Sequence, residues 1–469
     1  MEKYILKDKY EVKRLSKKPY LRVTVPGSKS MTNRALLLSA LNEGEVLLKG
    51  IHLSGDSRAL ISVLTDLGFK VSVDEMAHEI RVLGTGGRVP KSNATVDVKS
   101  AGTCARFVTA FLALSGGSYN IKSSDQMAER PMEDLYMALE SLGVRIERPE
   151  DKRLSFPIRV SMESDKASKK ASKEDEIKAD NSYREIELNI DKSSQYLSAL
   201  LMVLPLKYDK TLIKLTGTRE ARSYVDMTVK MMRQFGYNGE VTENGNSYLV
   251  TKGEYKVSEY TVEPDMSAAC YFYALASLTG GESTVAYATK DTLQGDVKFL
   301  DVIEKMGAVI SENNDSEIIV KGPEDKVLKG VSLSMADFSD QALTVAAMAP
   351  FLKGETCITG LSHIRGQESD RLAVIKDVMD RIGVFCEITE DSFVINPDKA
   401  LSDDSFVTLD TYNDHRVAMS FTIMGLVRGG IIIDNPGCCE KTFENYYDII
   451  DGIVKQKEVK EDDYEFYFK

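Results

Sequence analysis

This chain offers few of the residues that announce redox, metal or membrane chemistry. Its six cysteines (Cys104, Cys270, Cys357, Cys386, Cys438 and Cys439) are spread through 469 residues without a C-x-x-C pair. That pattern fits neither a zinc site nor a disulfide framework. Cys438 and Cys439 are adjacent, but free thiols in a reducing cytosol account for them better than a reactive pair. The four histidines (His52, His78, His363 and His415) have no spacing typical of metal ligands. No segment approaches the ~18 uninterrupted apolar residues that span a membrane, and the N-terminal MEKYILKDKYEVKRL is too charged for a secretory signal. A basic excess is missing too: the formal net charge of −12 argues against a general nucleic-acid binder. There is no GxxxxGK(S/T) phosphate loop and no Gly-rich dinucleotide fingerprint.

What is present is the composition of an ordinary globular protein, 43% hydrophobic and 28% charged, with length for two or more domains. An acidic chain of this kind still binds anions where a local cluster of Arg and Lys sets the potential of its own cleft. One such place is the segment from Pro26 to Arg34, PGSKSMTNR. It follows the alternating stretch Leu21 to Val25 and runs into the apolar pattern ALLLSAL, so it lies where a helix begins. Free N–H groups and the positive dipole end favour an anion there, and Lys29 and Arg34 add to the attraction. Taken alone, the segment fits a capped, solvated helix start equally well.

The same pattern returns along the chain. Small-residue-rich apolar helices are predicted at 30–41, 100–114, 193–205, 265–278, 339–351 and 413–426. Their equivalent starting points, Ser30, Ala101, Ser193, Met266, Asp340 and Asp414, lie 71, 92, 73, 74 and 74 residues apart. The long interval contains the polar stretch 162–182, which cannot bury enough apolar surface to offset its ordering entropy and is expected to be a mobile insertion. A second, amphipathic helix ending in Gly follows each of the first five: 56–68, 131–143, 224–236, 296–307 and 370–383. The closing Gly suits a left-handed C-cap. The unit therefore reads strand, helix, strand, loop, helix, strand, and six such units fit two α/β domains of three.

Polar groups gather at the starts of the first helices: Ser30 and Arg34; Thr103 and Arg106; Ser193, Ser194 and Gln195; Asp265; Asp340; Asp414, His415 and Arg416. If the inner helices run parallel, each domain points three helix N-termini one way, and two facing domains make an anion-attracting cleft. Loops before the second helices add Arg130 and the run Glu368-Ser369-Asp370-Arg371, whose Glu368 and Arg371 are expected to share a helix face. Lys441 follows the last repeat. A set comprising Lys29, Arg34, Arg130, Arg371, Arg416 and Lys441 suits substrates carrying two or three phosphate or carboxylate groups. Asp340 and Glu368 beside those cations read as proton-transfer groups rather than metal ligands.

Together PGSKSMTNRALLLSAL, SAGT, ERPMEDL, SSQYLSALLM, ESDRL, YNDHRVAM and KTFENYY, in order from residue 26 to 447, resemble the 5-enolpyruvylshikimate-3-phosphate synthase family. Each motif is weak alone, whereas the ordered set is specific. The resemblance implies a two-domain inverse α/β barrel of six βαβαββ repeats, three per domain, closing on substrate like a clamp. Residues 1–26 and 264–469 would form one discontinuous domain and 27–263 the other, with crossovers near Pro26 and Glu263-Pro264-Asp265. The reaction implied is transfer of the enolpyruvyl group of phosphoenolpyruvate to the 5-hydroxyl of shikimate 3-phosphate. It would pass through a tetrahedral intermediate and release phosphate, with no metal or organic cofactor.

The same resemblance implies roles for individual residues. Lys29, Ser30, Arg34, Ser193, Ser194, Gln195, Tyr224, Asp340 and Gln367 would bind shikimate 3-phosphate. Lys29, Gly102, Arg130, Gln195, Arg371, Arg416 and Lys441 would hold phosphoenolpyruvate. Catalysis would rest on Lys29, on Asp340 as acceptor of the 5-hydroxyl proton, and on Glu368 as donor to the methylene carbon. The protein would be a cytoplasmic monomer whose partners are these small molecules, not nucleic acid or membrane.

Four positions depart from the family pattern: Ser100 for Asn, Phe107 for Pro, Ala221 for Ser and Gln367 for Lys. Gln367 removes a positive charge, which Arg222 or His363 is expected to offset in part. The related enzyme acting on UDP-N-acetylglucosamine carries a reactive Cys shortly before its Arg-Pro, and Ser123 to Glu129 has none. A catalytically silent anion-binding relative is the other alternative, and intact Lys29, Asp340 and Glu368 speak against it.

Overall fold

The computed structural model describes residues 8–162, 183–218, 221–399, 405–455 and 465–466. The expected mobile insertion lies, from residue 163 to 182, outside the described residues. The fold is mixed α/β, with six small sheets among the described residues. The chain divides into two units, one of residues Met1–Ser28 with Glu263–Lys469 and the other of Lys29–Val262.

Apolar periodicity forms helices where it is uninterrupted. In the 29–262 unit, Lys29–Leu41, Gly102–Leu114 and Gln195–Val203 are buried almost all round, and the second of these packs against the other two. In the other unit Met266–Thr279, Ala342–Met348 and His415–Arg428 are equally enclosed and pack on one another. A helix buried on every side must be apolar on every side. The exceptions are small hydroxyls such as Thr344 and Ser420, which meet at 3.3 Å, and larger polar side chains nearer the helix starts, Arg34, Arg106 and Arg416 among them.

Amphipathic helices Gly55–Asp66, Glu133–Ser141, Ser223–Gln234, Phe299–Met306 and Arg371–Arg381 bury one face each. The five closing glycines, Gly68, Gly143, Gly236, Gly307 and Gly383, all have positive φ, between 72° and 119°. This is the left-handed backbone that the chain must adopt to leave the helix and that disfavours any Cβ.

The sheets of the 29–262 unit share one pairing pattern. Asn93–Asp97 lies parallel to Ser118–Lys122, which lies antiparallel to Ile158–Met162, itself antiparallel to Val144–Glu147. The sheets built on Glu43–Lys49 and on Lys210–Thr216 repeat this order. Among the described residues the discontinuous unit has sheets of five, four and three strands. Two N-terminal strands enter these sheets: Tyr20–Val23 pairs parallel with Glu282–Thr289, and Lys9–Val12 pairs antiparallel with Ile431–Asp434.

Where the chain crosses between units its two passes are hydrogen-bonded to each other. Ser28 N donates to Glu263 O and Asp265 N to Pro26 O, both at 2.8 Å. The side chain of Gln294 accepts from Met266 N at 3.0 Å and donates to Pro264 O at 2.8 Å, bracing the second pass.

Candidate active site

In the 29–262 unit Tyr224 is in the amphipathic helix Ser223–Gln234 and Arg130 in the loop before Glu133–Ser141. Lys29, Ser30, Gly102, Ser193, Ser194 and Gln195 lie at the starts of the three enclosed helices, with Arg34 a turn further along the first. Neither Ala101 nor Ser194, the caps of the second and third, supplies a side-chain capping bond. Orphan N–H groups at such an end favour an anion. Arg34 projects from the first helix into the protein. Its Nε donates to Thr228 Oγ1 at 2.7 Å, Nη1 to Ser30 O at 2.9 Å, and Nη2 to Ser198 Oγ at 3.4 Å and Tyr224 O at 3.2 Å. Its guanidinium also lies 5.4 Å from the Phe107 ring centre and 5.8 Å from that of Tyr224. All these partners are neutral, and burial pulls its pKa down to about 10. A buried cation without a carboxylate partner is costly unless an anion approaches it.

Gln195 organises a second cluster. Its Oε1 accepts from Arg106 Nη1 at 3.1 Å and its Nε2 donates to Thr103 Oγ1 at 3.2 Å. Arg106 also donates to Pro131 O at 3.3 Å, and Tyr196 Oη donates to the same carbonyl at 2.6 Å. Gly102 lies against this cluster. A Cβ built there would stand 2.5 Å from Arg106 Nη1 and 2.7 Å from Arg130 Nη1, so two guanidiniums occupy the space a side chain would need. Arg130 is half-buried, and its Nε is buried without a hydrogen-bond partner among the described residues. Ser193 Oγ accepts from Gln195 N at 3.3 Å.

Lys29 pairs with Asp56, Nζ to Oδ2 at 3.6 Å, and both are largely buried. Asp56 lies in the first turn of Gly55–Asp66 and was not among the residues expected from sequence. An acid there resembles any dipole-favoured first-turn carboxylate.

The discontinuous unit brings Asp340, Gln367, Glu368, Arg371, Arg416 and Lys441 together around one guanidinium. Arg371 donates from Nε to Asp414 Oδ2 at 2.9 Å, from Nη1 to Asp340 Oδ1 at 2.9 Å, and from Nη2 to Glu368 Oε2 at 3.2 Å. Its Nη1 also meets the Gln367 carboxamide oxygen. Burial opposes the Arg371 charge, but Asp414, Glu368 and Asp340 outweigh it and raise the pKa. Glu368 and Arg371 do not share a helix face: Arg371 is the first helical residue, capped by Asp370, and the pair forms across the helix start.

Arg416 donates from Nη2 to the other Asp340 oxygen at 2.9 Å, and Lys441 Nζ lies 3.7 Å from Glu368 Oε1. Asp340 and Glu368 are thus each held between two cations and fixed in position. Asp414 has a second task, accepting from Arg416 N at 2.9 Å as the cap of His415–Arg428. His363 bonds through Nε2 to Ser339 Oγ at 2.7 Å, one residue before Asp340. Arg222 donates to Ala221 O and Asn246 Oδ1.

All six cysteines are free. Among the described residues no group of three or more His, Cys, Asp or Glu is placed to hold a metal ion, and no helix is long and apolar enough to cross a membrane. A cavity of about 560 Å³ in the 29–262 unit, bordered by Arg88, Lys252 and Glu254 among others, includes none of the predicted residues.

Comparison with known proteins follows the same lines. Residues 14–450 match the model of the EPSP synthase (3-phosphoshikimate 1-carboxyvinyltransferase) family. The chain is 36% identical over 425 residues to the 3-phosphoshikimate 1-carboxyvinyltransferase of Trichormus variabilis, covering 91% of this chain and 94% of that protein. It is 35% identical to that of Vibrio cholerae over 430 residues, 91% and 95% of the two chains. Among solved structures, the EPSP synthase of Acinetobacter baumannii superimposes with a TM-score of 0.75 at 21% identity, over 95% of this chain and 98% of that one. The enolpyruvyl transferase NikO of Streptomyces tendae superimposes with a TM-score of 0.72 at 12% identity, over 95% and 96%. At those identities the structures bear on the fold alone.

Proposed function

This chain belongs to the EPSP synthase family, and from that premise we propose which of its residues carry each part of the reaction. It is a transferase of aromatic amino-acid biosynthesis, moving the 1-carboxyvinyl group of phosphoenolpyruvate to shikimate 3-phosphate on the way to chorismate. The alternative acceptor, UDP-N-acetylglucosamine, is not favoured. The single observation that carries the assignment is the family match, which runs through both units.

Chemistry has two halves. In the addition, the 5-hydroxyl oxygen bonds to C2 of phosphoenolpyruvate, losing a proton as C3 gains one. In the elimination, C3 loses a proton and the C2–O bond to phosphate breaks. We assign Asp340 as acceptor of the hydroxyl proton and Glu368 as the group that delivers the C3 proton and reclaims it. Their shared anchor on Arg371 supports this division, because two carboxylates on one immobile guanidinium keep a fixed separation. Lys29, held by Asp56, offsets the charge that develops at the reacting centre.

Binding roles follow the charge of each cluster. Lys29, Ser30, Arg34, Ser193, Ser194, Gln195, Tyr224, Asp340 and Gln367 are assigned to shikimate 3-phosphate. The neutral surroundings of buried Arg34 support an anionic group there. Lys29, Gly102, Arg130, Gln195, Arg371, Arg416 and Lys441 are assigned to phosphoenolpyruvate. Arg130, with its unpartnered buried Nε, supports a ligand anion at that cluster. Gln367 spends its carboxamide oxygen on Arg371, and Arg222 and His363 are the residues proposed to offset the missing lysine charge.

The finer architecture is proposed as a two-domain inverse α/β barrel of six βαβαββ repeats, three per domain, with domains 27–263 and 1–26 plus 264–469. The repeated pairing order of the three sheets in the 29–262 unit supports it. We take the enzyme to be a cytoplasmic monomer that needs neither metal nor organic cofactor. The assignment is tested by incubating the protein with phosphoenolpyruvate and either acceptor. Phosphate release with shikimate 3-phosphate and not with UDP-N-acetylglucosamine is expected, and the reverse pattern would overturn it.

A further inference from the structure

Asp296 is a buried carboxylate behind the Asp340–Arg416 pair that none of the assigned roles uses. It lies in the short turn Gly295–Lys298, and its Oδ1 accepts from Ser267 Oγ at 3.0 Å and from Gln341 Nε2 at 2.7 Å. Both donors are neutral, and no ion pair to Asp296 forms among the described residues. Ser267 Oγ in turn accepts from Arg416 Nη2 at 3.3 Å, the same nitrogen that holds Asp340. Gln341 is the residue after Asp340, and its Oε1 accepts from Thr344 at 3.1 Å.

A carboxylate is an expensive way to accept two neutral hydrogen bonds in a dry place, since an amide oxygen would serve. The charge therefore needs a reason. Ser267 has one hydroxyl hydrogen, and an ionised Asp296 accepts only, so that hydrogen points at Asp296 and the oxygen lone pairs are left for Arg416. The groups facing Asp296 are Ser267 and Cys270 from Met266–Thr279, the cap Asp265, Asp340 and Gln341, and Arg416. Burial first and Asp340 second push its pKa up to about 6, with Arg416 and Gln341 pulling the other way. The Asp296–Asp340 repulsion is mutual, so a charged Asp296 also raises the proton affinity of Asp340.

We propose that Asp296 is a positioning residue for the reaction: through Ser267 it aligns Arg416, and through its charge it makes Asp340 a stronger base. This rests on the assignment of Asp340 as proton acceptor and of Arg416 as a ligand of phosphoenolpyruvate. The arrangement separates two effects. Ser267 transmits alignment to Arg416, whereas the charge acts on Asp340 through space.

The test is steady-state phosphate release from phosphoenolpyruvate and shikimate 3-phosphate across pH 5 to 9, for the unmodified enzyme, Asp296→Asn and Ser267→Ala, with thermal unfolding of each. Asp296→Asn keeps an acceptor oxygen and removes the charge. The acid limb of kcat/KM is expected to move to lower pH by about half a unit or more, with kcat down roughly three- to tenfold. Ser267→Ala is expected to raise the KM for phosphoenolpyruvate about three- to tenfold and to leave the acid limb in place. Overlaying pH profiles for Asp296→Asn and the unmodified enzyme, whatever the unfolding temperatures, would overturn the proposal. So would an unchanged phosphoenolpyruvate KM in a folded Ser267→Ala. If the unmodified enzyme releases no phosphate, the assignment of function fails instead, and the two failures are distinguishable. Should Asp296→Asn not fold, Asp296→Glu, which retains the charge, is expected to hold the native acid limb, and a limb shifted down in that variant contradicts the charge effect.

Discussion

Arg371 Nε donates to Asp414 Oδ2 at 2.9 Å, and both side chains are buried, 2% and 0% exposed. This pair fixes the guanidinium that Asp340 and Glu368 share, while Asp414 also caps the helix His415–Arg428. Removing one partner of a buried pair leaves the other charge uncompensated. Asp414→Ala is expected to lose about 3–5 kcal/mol of stability, and phosphate release should fall with it because the Arg371 guanidinium loses its fully buried anchor. Asp414→Asn, which still caps, should lose less stability than Asp414→Ala. Urea unfolding alongside the phosphate assay checks both: losses well under about 3 kcal/mol in both variants would argue against the charge pairing, and equal losses in the two would argue against the cap.

Gly102 makes a separate prediction through Arg130. A methyl group at 102 must displace the ends of Arg106 and Arg130, which are flexible, so the fold should survive. Gly102→Ala is expected to shift the unfolding midpoint by no more than about 1 kcal/mol equivalent and to raise the KM for phosphoenolpyruvate about tenfold, with a smaller change in kcat. An unchanged KM would mean that Arg130 does not contact that substrate.

His52 ties stability to pH. Burial, followed by the charges of His78 and Arg58, lowers its pKa from 6.5 to about 4. The unfolded chain therefore binds a proton that the folded chain refuses between those values. The contribution is fully present above pH 6.5 and is lost as pH falls toward 4, amounting to about 3 kcal/mol. Asp296, with its raised pKa, acts in the opposite sense over a similar window. His52→Gln should flatten the loss of thermal stability between pH 6.5 and 4, and an unaltered slope would show that His52 is not the group responsible.

Local order was legible in the sequence because its causes are local. Uninterrupted small apolar residues forced the enclosed helices, and a closing glycine set each of the five amphipathic helix ends, as at Gly236 and Gly307. Motif order supplied the family. Asp56, Ser198, Thr228 and Asp296 were invisible for a common reason: their meaning lies in partners far along the chain. Thr228 is 194 residues from Arg34, and Asp296 is 45 from Gln341. Arg34 was expected to grip substrate, and the structure adds that most of its donors are committed to the protein. No periodicity signals such a bond, since one Thr on a helix face resembles any other.

The most direct test of the account is the mass of the product formed in deuterium oxide from phosphoenolpyruvate and shikimate 3-phosphate. Protonation of C3 by Glu368, followed by loss of a proton from the resulting methyl group, predicts an enolpyruvyl product carrying deuterium at C3 in the unmodified enzyme. Glu368→Gln should form little product. An enolpyruvyl product free of deuterium, or no such product at all, would contradict the addition–elimination chemistry assigned to Asp340 and Glu368.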